Sequence, residues 1–446
     1  MRIDFTQGNV ERKLWAFSIP MLVSVMFQQI YNIADSMIAG RFAGEDALAA
    51  VGASYPITML FIAVAMGSNI GCSVVISQAF GARDYVRMKT AVTTTYIACA
   101  VLSVVLSVAG FLTSGPLLRM IQTPENIFAD GQLYLNIYIG GVTFLFLYNI
   151  CTGIFNAMGD SRTPLIFLIF SSVGNIILDL WFVIGFKAGV AGVAWATFIA
   201  QGASSLLSLL VLVLRLRQIP TEGKVPLFSG MMLRKIVVVA VPSILQQSFI
   251  SVGNMFIQTL VNGFGSAVIA GYSAAIKLNT FAITSFTTLA SGLSTFVAQN
   301  VGAGQLDRVR RGFVAGVVMA VCVAAPFFVA YFFLSGPMVE MFMENGGSAE
   351  ALLAGQTFLR IVAPFYFVIL IKLMADGVLR GSGAMSWFMV ATFTDLVLRV
   401  VLAYVLSIPF GMGSVGIWSS WPIGWTVSAV MSLVFYIAGV WKRKAL

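Results

Sequence analysis

Stretches of about 20 apolar residues, the length at which a helix crosses roughly 30 Å of hydrocarbon, recur from near the start of this chain to near its end. Twelve such spans can be drawn, at 14–39, 53–79, 90–112, 132–158, 164–186, 189–214, 234–260, 275–300, 313–334, 354–379, 387–408 and 413–440. They leave no room for a separate soluble domain. Segments of this length are helices rather than barrel strands, because a helix satisfies its backbone hydrogen bonds within itself and a strand crosses in about half as many residues. With 59% of the 446 residues hydrophobic and only 10% charged, the bilayer is the solvent, and the fold class is an all-α integral membrane protein of twelve transmembrane helices.

The net charge of +9 has a topological reading. Lys and Arg gather in short connectors: Arg12 and Lys13; Arg83, Arg87 and Lys89; Arg215, Arg217, Arg234 and Lys235; Arg308, Arg310 and Arg311; and Lys442 to Lys444. All these connectors fall on one side. The positive-inside rule makes that side cytoplasmic and places both termini there, in a multi-pass protein of the cell's inner or plasma membrane. The opposite loops carry Glu45, Asp46, Glu125, Asp130, Glu340 and Glu344. Topology thus accounts for the basic residues, and no nucleic acid partner is expected. The first 13 residues are polar and lack a small-residue cleavage site, so the first span is expected to be retained. Cys72, Cys99, Cys151 and Cys322 lie inside apolar spans without metal-ligand spacing, and there is no histidine; the thiols read as packing residues.

The two halves of the chain are copies. At a shift of about 222 residues, Pro20, Phe27, Asn32 and Phe42 fall on Pro242, Phe249, Asn254 and Phe264. Gln78, Gly81 and Ala82 fall on Gln299, Gly302 and Ala303, a Gln-x-x-Gly-Ala motif in each half. Further on, Gly159 falls on Gly383, Asn175 to Leu178 on Arg399 to Leu402, and Gly192 on Gly416 at a shift of about 224. Matching Pro, Gln, Gly and Asn cannot be put down to shared apolarity. The organisation is an N-lobe at 1–219 holding spans one to six, a cytoplasmic linker at 220–233, and a C-lobe at 234–446 holding spans seven to twelve. Six spans per copy give two like-oriented bundles related by a pseudo-two-fold axis along the membrane normal, with substrate between them.

A charge at the bilayer centre costs at least about 2.5–3.5 kcal/mol on insertion scales, so each one needs a partner, a water-filled cavity or a function. In the N-lobe, Asp35 and Asp179 lie inside spans whose interiors hold no Lys or Arg. Burial and mutual repulsion both disfavour two bare carboxylates, so a shared cavity would hold protons or a metal cation there. Asn175 precedes Asp179 by one helical turn, which puts an amide and a carboxylate on one face, and oxygen ligands suit a hard cation such as Na⁺. The C-lobe instead carries Lys372 with Asp376, and Asp395 with Arg399, each pair at i, i+4 spacing. These can neutralise one another as a structural network, with a substrate-facing or proton-relay role for Asp376 as the alternative. Arg399 and Ala403 occupy the repeat positions of Asn175 and Asp179, so no equivalent ion site is expected in the C-lobe. Pro20 removes a backbone hydrogen bond from the first span and permits a kink. Gln28, Asn149 and Asn156 can line a substrate cavity, or can bond helix to helix.

Taken together, these features resemble the multidrug and toxin extrusion (MATE) exporters, within a larger group that includes flippases of lipid-linked oligosaccharides. The likeness covers nearly the whole chain. It rests on the two six-span halves, the first span from Pro20 to Asp35 ending in Ala-Gly-Arg-Phe-Ala-Gly, and the Gln78 motif with its copy at Gln299. Met-Gly-Asp-Ser-Arg-Thr-Pro at Met158 to Pro164 and Asn175-x-x-x-Asp179 complete it. The resemblance implies a V-shaped bundle whose central cavity opens to each side in turn. It places Asp35, Asn175, Asp179 and Thr197 at the N-lobe cation site of the DinF-like prokaryotic branch. Ala384 departs from the pattern, standing where the N-lobe copy has Asp160, and span seven lacks the acidic residue of the NorM-like branch.

The function expected is therefore secondary active export of amphipathic organic cations and drugs in exchange for H⁺ or Na⁺. The transporter is expected to be a lipid-embedded monomer with no cofactor beyond that ion. The alternative within transport is a flippase for a lipid-linked precursor, which calls for a basic cavity. An integral membrane enzyme is disfavoured by the lack of histidine and of a carboxylate cluster at a membrane edge. Two-lobe duplication suits alternating access better than a passive channel.

Overall fold

The computed structural model describes residues 3–38, 42, 45–343 and 348–442, with 33–37 and 45–48 described by backbone alone. Among these residues there is no strand. The helices are α1 (Val10–Ile38), α2 (Glu45–Gly81), α3 (Tyr85–Met120), α4 (Glu125–Gly140), α5 (Val142–Ala157), α6 (Arg162–Leu180), α7 (Gly189–Arg217), α8 (Gly230–Asn262), α9 (Ser266–Gly302), α10 (Leu306–Phe333), α11 (Ser335–Glu340), α12 (Ala349–Val362), α13 (Tyr366–Ser382), α14 (Met385–Ser407) and α15 (Gly413–Ile437). Among the described residues, eleven helical segments are long and apolar enough to cross a membrane, and α4 with α5, taken as one bent segment, would bring the number to twelve.

That twelfth span differs from the single straight run expected at 132–158. α4 and α5 meet at a bend of 47°. The cause is local. Gly140 and Gly141 are consecutive poor helix formers, and a Cβ at Gly141 would lie 3.2 Å from Phe198 of α7. The bend lets α7 approach the backbone there. Pro364 similarly interrupts the tenth span with a short 3₁₀ turn, Ala363–Phe365, between α12 and α13. α1, by contrast, runs unbroken through Pro20, and α8 through Pro242.

Lipid chains are as apolar as leucine, so helices in a bilayer associate by close packing of small residues rather than by excluding water. Gly67 and Gly71 of α2 accept Ile244 and Ala240 of α8. Gly377 and Gly381 of α13 lie on the carbonyls of Ala290 and Ser294 of α9, and Gly271 of α9 lies on α12 at Ala351 and Gly355. Side chains such as Leu112, Ile437 and Met255 stay exposed, an outward apolar surface that hydrocarbon, not water, can solvate. All four cysteines are free thiols.

Packing divides the chain into two compact units, one of Met1–Asp4 and Ile19–Ile244, the other of Phe5–Ser18 and Leu245–Leu446. The lobe limits read from the repeat follow the duplication; these units follow contacts, and they divide α1 and α8 beside the matched prolines, Pro20 and Pro242. In the second unit the Phe5 ring, fully buried, packs between Phe17 and Phe296. Its N–H donates to Gln299 Oε1 at 3.1 Å, and Arg308 and Asn300 donate to its carbonyl. The C-lobe glutamine motif thus holds the start of the chain. In both halves the motif also closes a helix, with Ala82 N–H bonded to Gln78 O and Ala303 N–H to Gln299 O.

Candidate functional site

In the first unit, α6 carries Asn175 and Asp179 one turn apart, at 2% and 0% exposure. α7 brings Thr197 against them, and α1 brings Tyr31. The amide orientation that satisfies its neighbours has Asn175 Nδ2 donating to Asp179 Oδ2 at 2.7 Å and to Tyr31 Oη at 3.2 Å. Its oxygen then accepts from Thr197 N–H at 3.1 Å, with Thr197 Oγ1 3.3 Å away. Thr197 Oγ also reaches the Val193 carbonyl at 3.1 Å. Asn175, Asp179 and Thr197, selected from sequence, are therefore one constellation. Asp35 lies on α1 one turn beyond Tyr31, and its side chain falls outside the described residues. Tyr31 was not selected from sequence; its i, i+4 spacing to Asp35 was the available signal.

This cluster is rich in oxygen and enclosed by apolar helices. Between Arg162 and Arg215 the sequence has a single basic residue, Lys187, in the loop that joins the fifth and sixth spans. An amide, a hydroxyl, a phenol and a carboxylate can bind a proton or a hard monovalent cation, and none of them is a nucleophile set up for covalent chemistry. Thr197 also lines a small cavity with Tyr134, Tyr138, Gly141, Phe198 and Gln201, beside the bend between α4 and α5.

The remaining selected residues separate. Asn149 is half-buried and donates to Leu145 O of its own helix at 2.9 Å. Asn156 has a buried Oδ1 without a hydrogen-bond partner among the described residues, and Gln28 is exposed on α1. Asp376 is closed within the C-lobe core: Lys372 Nζ donates to its Oδ2 at 2.7 Å and Ser432 Oγ to its Oδ1 at 2.6 Å. Ser432, on α15, had no signal in the sequence.

Asp395 and Arg399 are both buried, yet no ion pair joins them among the described residues. The guanidinium instead lies over the Trp421 ring, 4.5 Å from its centre. The expected network is thus half formed as drawn.

Asp160, which the C-lobe copy lacks, has a structural task. It is buried, accepts from Thr163 N–H at 3.1 Å and Thr163 Oγ1 at 2.8 Å, and pairs with Arg215 at 2.7 Å. It caps α6 and ties it to the end of α7. Ala384, its counterpart, caps α14 with no side-chain bond, and Gly439 stands where Arg215 repeats.

A model of the MatE family matches residues 20–181 and 242–405, one match in each half. The chain is 29% identical to the probable multidrug resistance protein YpnP of Bacillus subtilis (strain 168), over 99% of this chain and 98% of that protein. It is 28% identical to the probable multidrug resistance protein YoeA of the same organism, over 98% and 96%. A solved structure of a multidrug resistance MATE family transporter of the MOP superfamily, in its outward-facing conformation, shares the fold. Its TM-score is 0.91 at 22% identity, covering 99% of this chain and 98% of that one.

Proposed function

Because the chain belongs to the MatE family, we propose that it is a secondary active exporter of amphipathic organic cations, driven by inward movement of H⁺ or Na⁺ through the Tyr31, Asn175, Asp179 and Thr197 cluster with Asp35. The relatives that match it from end to end bear the description of probable multidrug resistance proteins. One observation carries the coupling role: Asp179 is fully buried and bonded to a neutral amide. A carboxylate so placed favours a bound proton or cation over the bare charge.

In the cycle that follows, the ion binds at Asp35 and Asp179 from outside and lowers their negative charge, which displaces a cationic drug and favours closure to the outside. Facing inward, the ion leaves and drug binds. Linkage requires each ligand to weaken the binding of the other by the same factor, and that mutual exclusion is antiport. The protein works as a lipid-embedded monomer in the inner or plasma membrane, both termini cytoplasmic, with no cofactor beyond the ion.

The test is ethidium efflux in everted vesicles energised separately by a pH gradient and a Na⁺ gradient. Wild type responds to one of the two gradients, which names the ion, and Asp35→Asn and Asp179→Asn lose that response. Undiminished coupled transport in the variants refutes the site. No transport by wild type favours the flippase reading instead.

A further inference from the structure

The internal repeat extends from sequence into contacts. On the α6–α7 seam Asn175 meets Thr197 and Ser171 Oγ reaches Ala200 O at 3.4 Å, and Gly192 lies against Phe182 in the π-helical turn Trp181–Gly185 that follows α6. On the α14–α15 seam Arg399 covers Trp421, a Cβ at Gly424 would lie 2.8 Å from Asp395 Oδ1, and Gly416 lies against Leu406. At the shift of about 224 residues these are the same three pairs. Asn175 becomes Arg399 and Thr197 becomes Trp421; Ser171 and Ala200 become Asp395 and Gly424; Gly192 and Phe182 become Gly416 and Leu406. The α14–α15 seam is therefore the geometric copy of the seam that holds the N-lobe cluster.

The chemistry has been exchanged at every liganding position. Asp179 is replaced by Ala403, and Thr197 by an indole. Tyr31, at the shift of about 222, is replaced by Gly253, which lies beside Val400, the residue after Arg399. In place of the amide stands a guanidinium at 6% exposure. Its Nε has no hydrogen-bond partner among the described residues, and neither do Asp395 Oδ1 and Trp421 Nε1. Lys372 donates to Asp376, which also accepts from Ser432. An arginine keeps its charge at any physiological pH, and a ring face is a surface on which a cation can rest without oxygen ligands.

We propose that Arg399 is a tethered cation that permanently fills the C-lobe counterpart of the N-lobe ion site. The duplicated fold offers two counterpart positions for an exchangeable ion; the guanidinium, together with the lost oxygen ligands, leaves it with one. A fixed positive charge repels a second cation, and Trp421 and Ala403 remove the oxygen atoms that would bind it. This inference rests on the N-lobe cluster being the ion site.

The test places the amide, carboxylate and hydroxyl of the α6–α7 seam on the α14–α15 seam with Arg399→Asn, Ala403→Asp and Trp421→Thr, and adds the missing second carboxylate with Ile257→Asp, all four together in the full chain. Radiolabelled Na⁺ binding and proton uptake are measured on the purified protein in nanodiscs. Wild type is expected to take up one coupling ion per chain, lost in Asp179→Asn. The quadruple variant is expected to take up two, of which one survives the addition of Asp179→Asn. A quadruple variant that still binds one ion, lost with Asp179, overturns the proposal and leaves the N-lobe reading standing. Wild-type binding that is unaffected by Asp179→Asn removes the N-lobe reading and the counterpart with it. Should the quadruple variant fail to fold, Arg399→Ala gives an independent answer. Its lowered melting temperature is expected to recover with low-millimolar guanidinium ion and not with urea, which is planar and of similar size but neutral. Equal recovery with both, or with neither, overturns the tethered-cation role.

Discussion

Replacing Asp160 with Ala removes three bonds at one point: the cap to Thr163 N–H, the bond from the Thr163 hydroxyl, and the ion pair with Arg215 at 2.7 Å. Loss of a helix N-cap costs about 1 kcal/mol. Removing one partner of a fully buried ion pair costs about 3–5 kcal/mol. Here Arg215 is 32% exposed and can turn toward water, so this contribution falls to about 1–2 kcal/mol. The sum is a destabilisation of about 2–3 kcal/mol, a shift of roughly 30- to 150-fold in the unfolding equilibrium. Arg215→Ala spares the cap and should cost about half as much, and the double-mutant cycle should return a coupling of about 1–2 kcal/mol. Reversible denaturant unfolding of the purified protein in mixed micelles measures all three variants. The C-lobe provides an internal control, since Ala384→Asp has no arginine to meet and should gain at most the cap. An Asp160→Ala protein within about 0.5 kcal/mol of wild type would refute the reasoning, because surface substitutions alone fall in that range.

Two further outcomes are expected. Tyr31→Phe removes one neighbour of the Asn175 amide and leaves the others, so the ion concentration for half-maximal drug efflux should rise by about 2- to 10-fold, with maximal flux retained, from the net worth of a single hydrogen bond. An ion dependence identical to wild type would take Tyr31 out of the site. Asp376→Asn leaves Lys372 buried at 3% exposure with no matching carboxylate on its helix and should destabilise the C-lobe by about 3–5 kcal/mol, whereas the paired change Lys372→Met with Asp376→Leu should recover most of that. Unfolding measurements that find the double variant worse than the single one would show that Asp376 acts beyond its ion pair.

The spans, the duplication and the Asn175–Asp179 pair were legible in the sequence because each depends on spacing along one helix or on a shift along one chain. Hydropathy needs no partner to be read, and i, i+4 spacing places two side chains on one face whatever surrounds them. The same rule shows where such reading stops. Lys372 and Asp376 share that spacing and are bonded; Asp395 and Arg399 share it and are not. The difference lies on α15, where Trp421 offers the guanidinium a ring face, and no count along α14 reveals it. Likewise two adjacent glycines at 140 and 141 were visible, but whether they bend a span depends on Phe198 lying against Gly141. Tyr31 joins the cluster only because its hydroxyl, on α1, reaches Asn175 of α6. Sequence determined which segments enter the membrane and which of them are copies, since burial in lipid is a property of a single helix. Tertiary structure decided which buried polar groups meet, since a side chain in a low-dielectric interior takes the partner that a neighbouring helix brings to it.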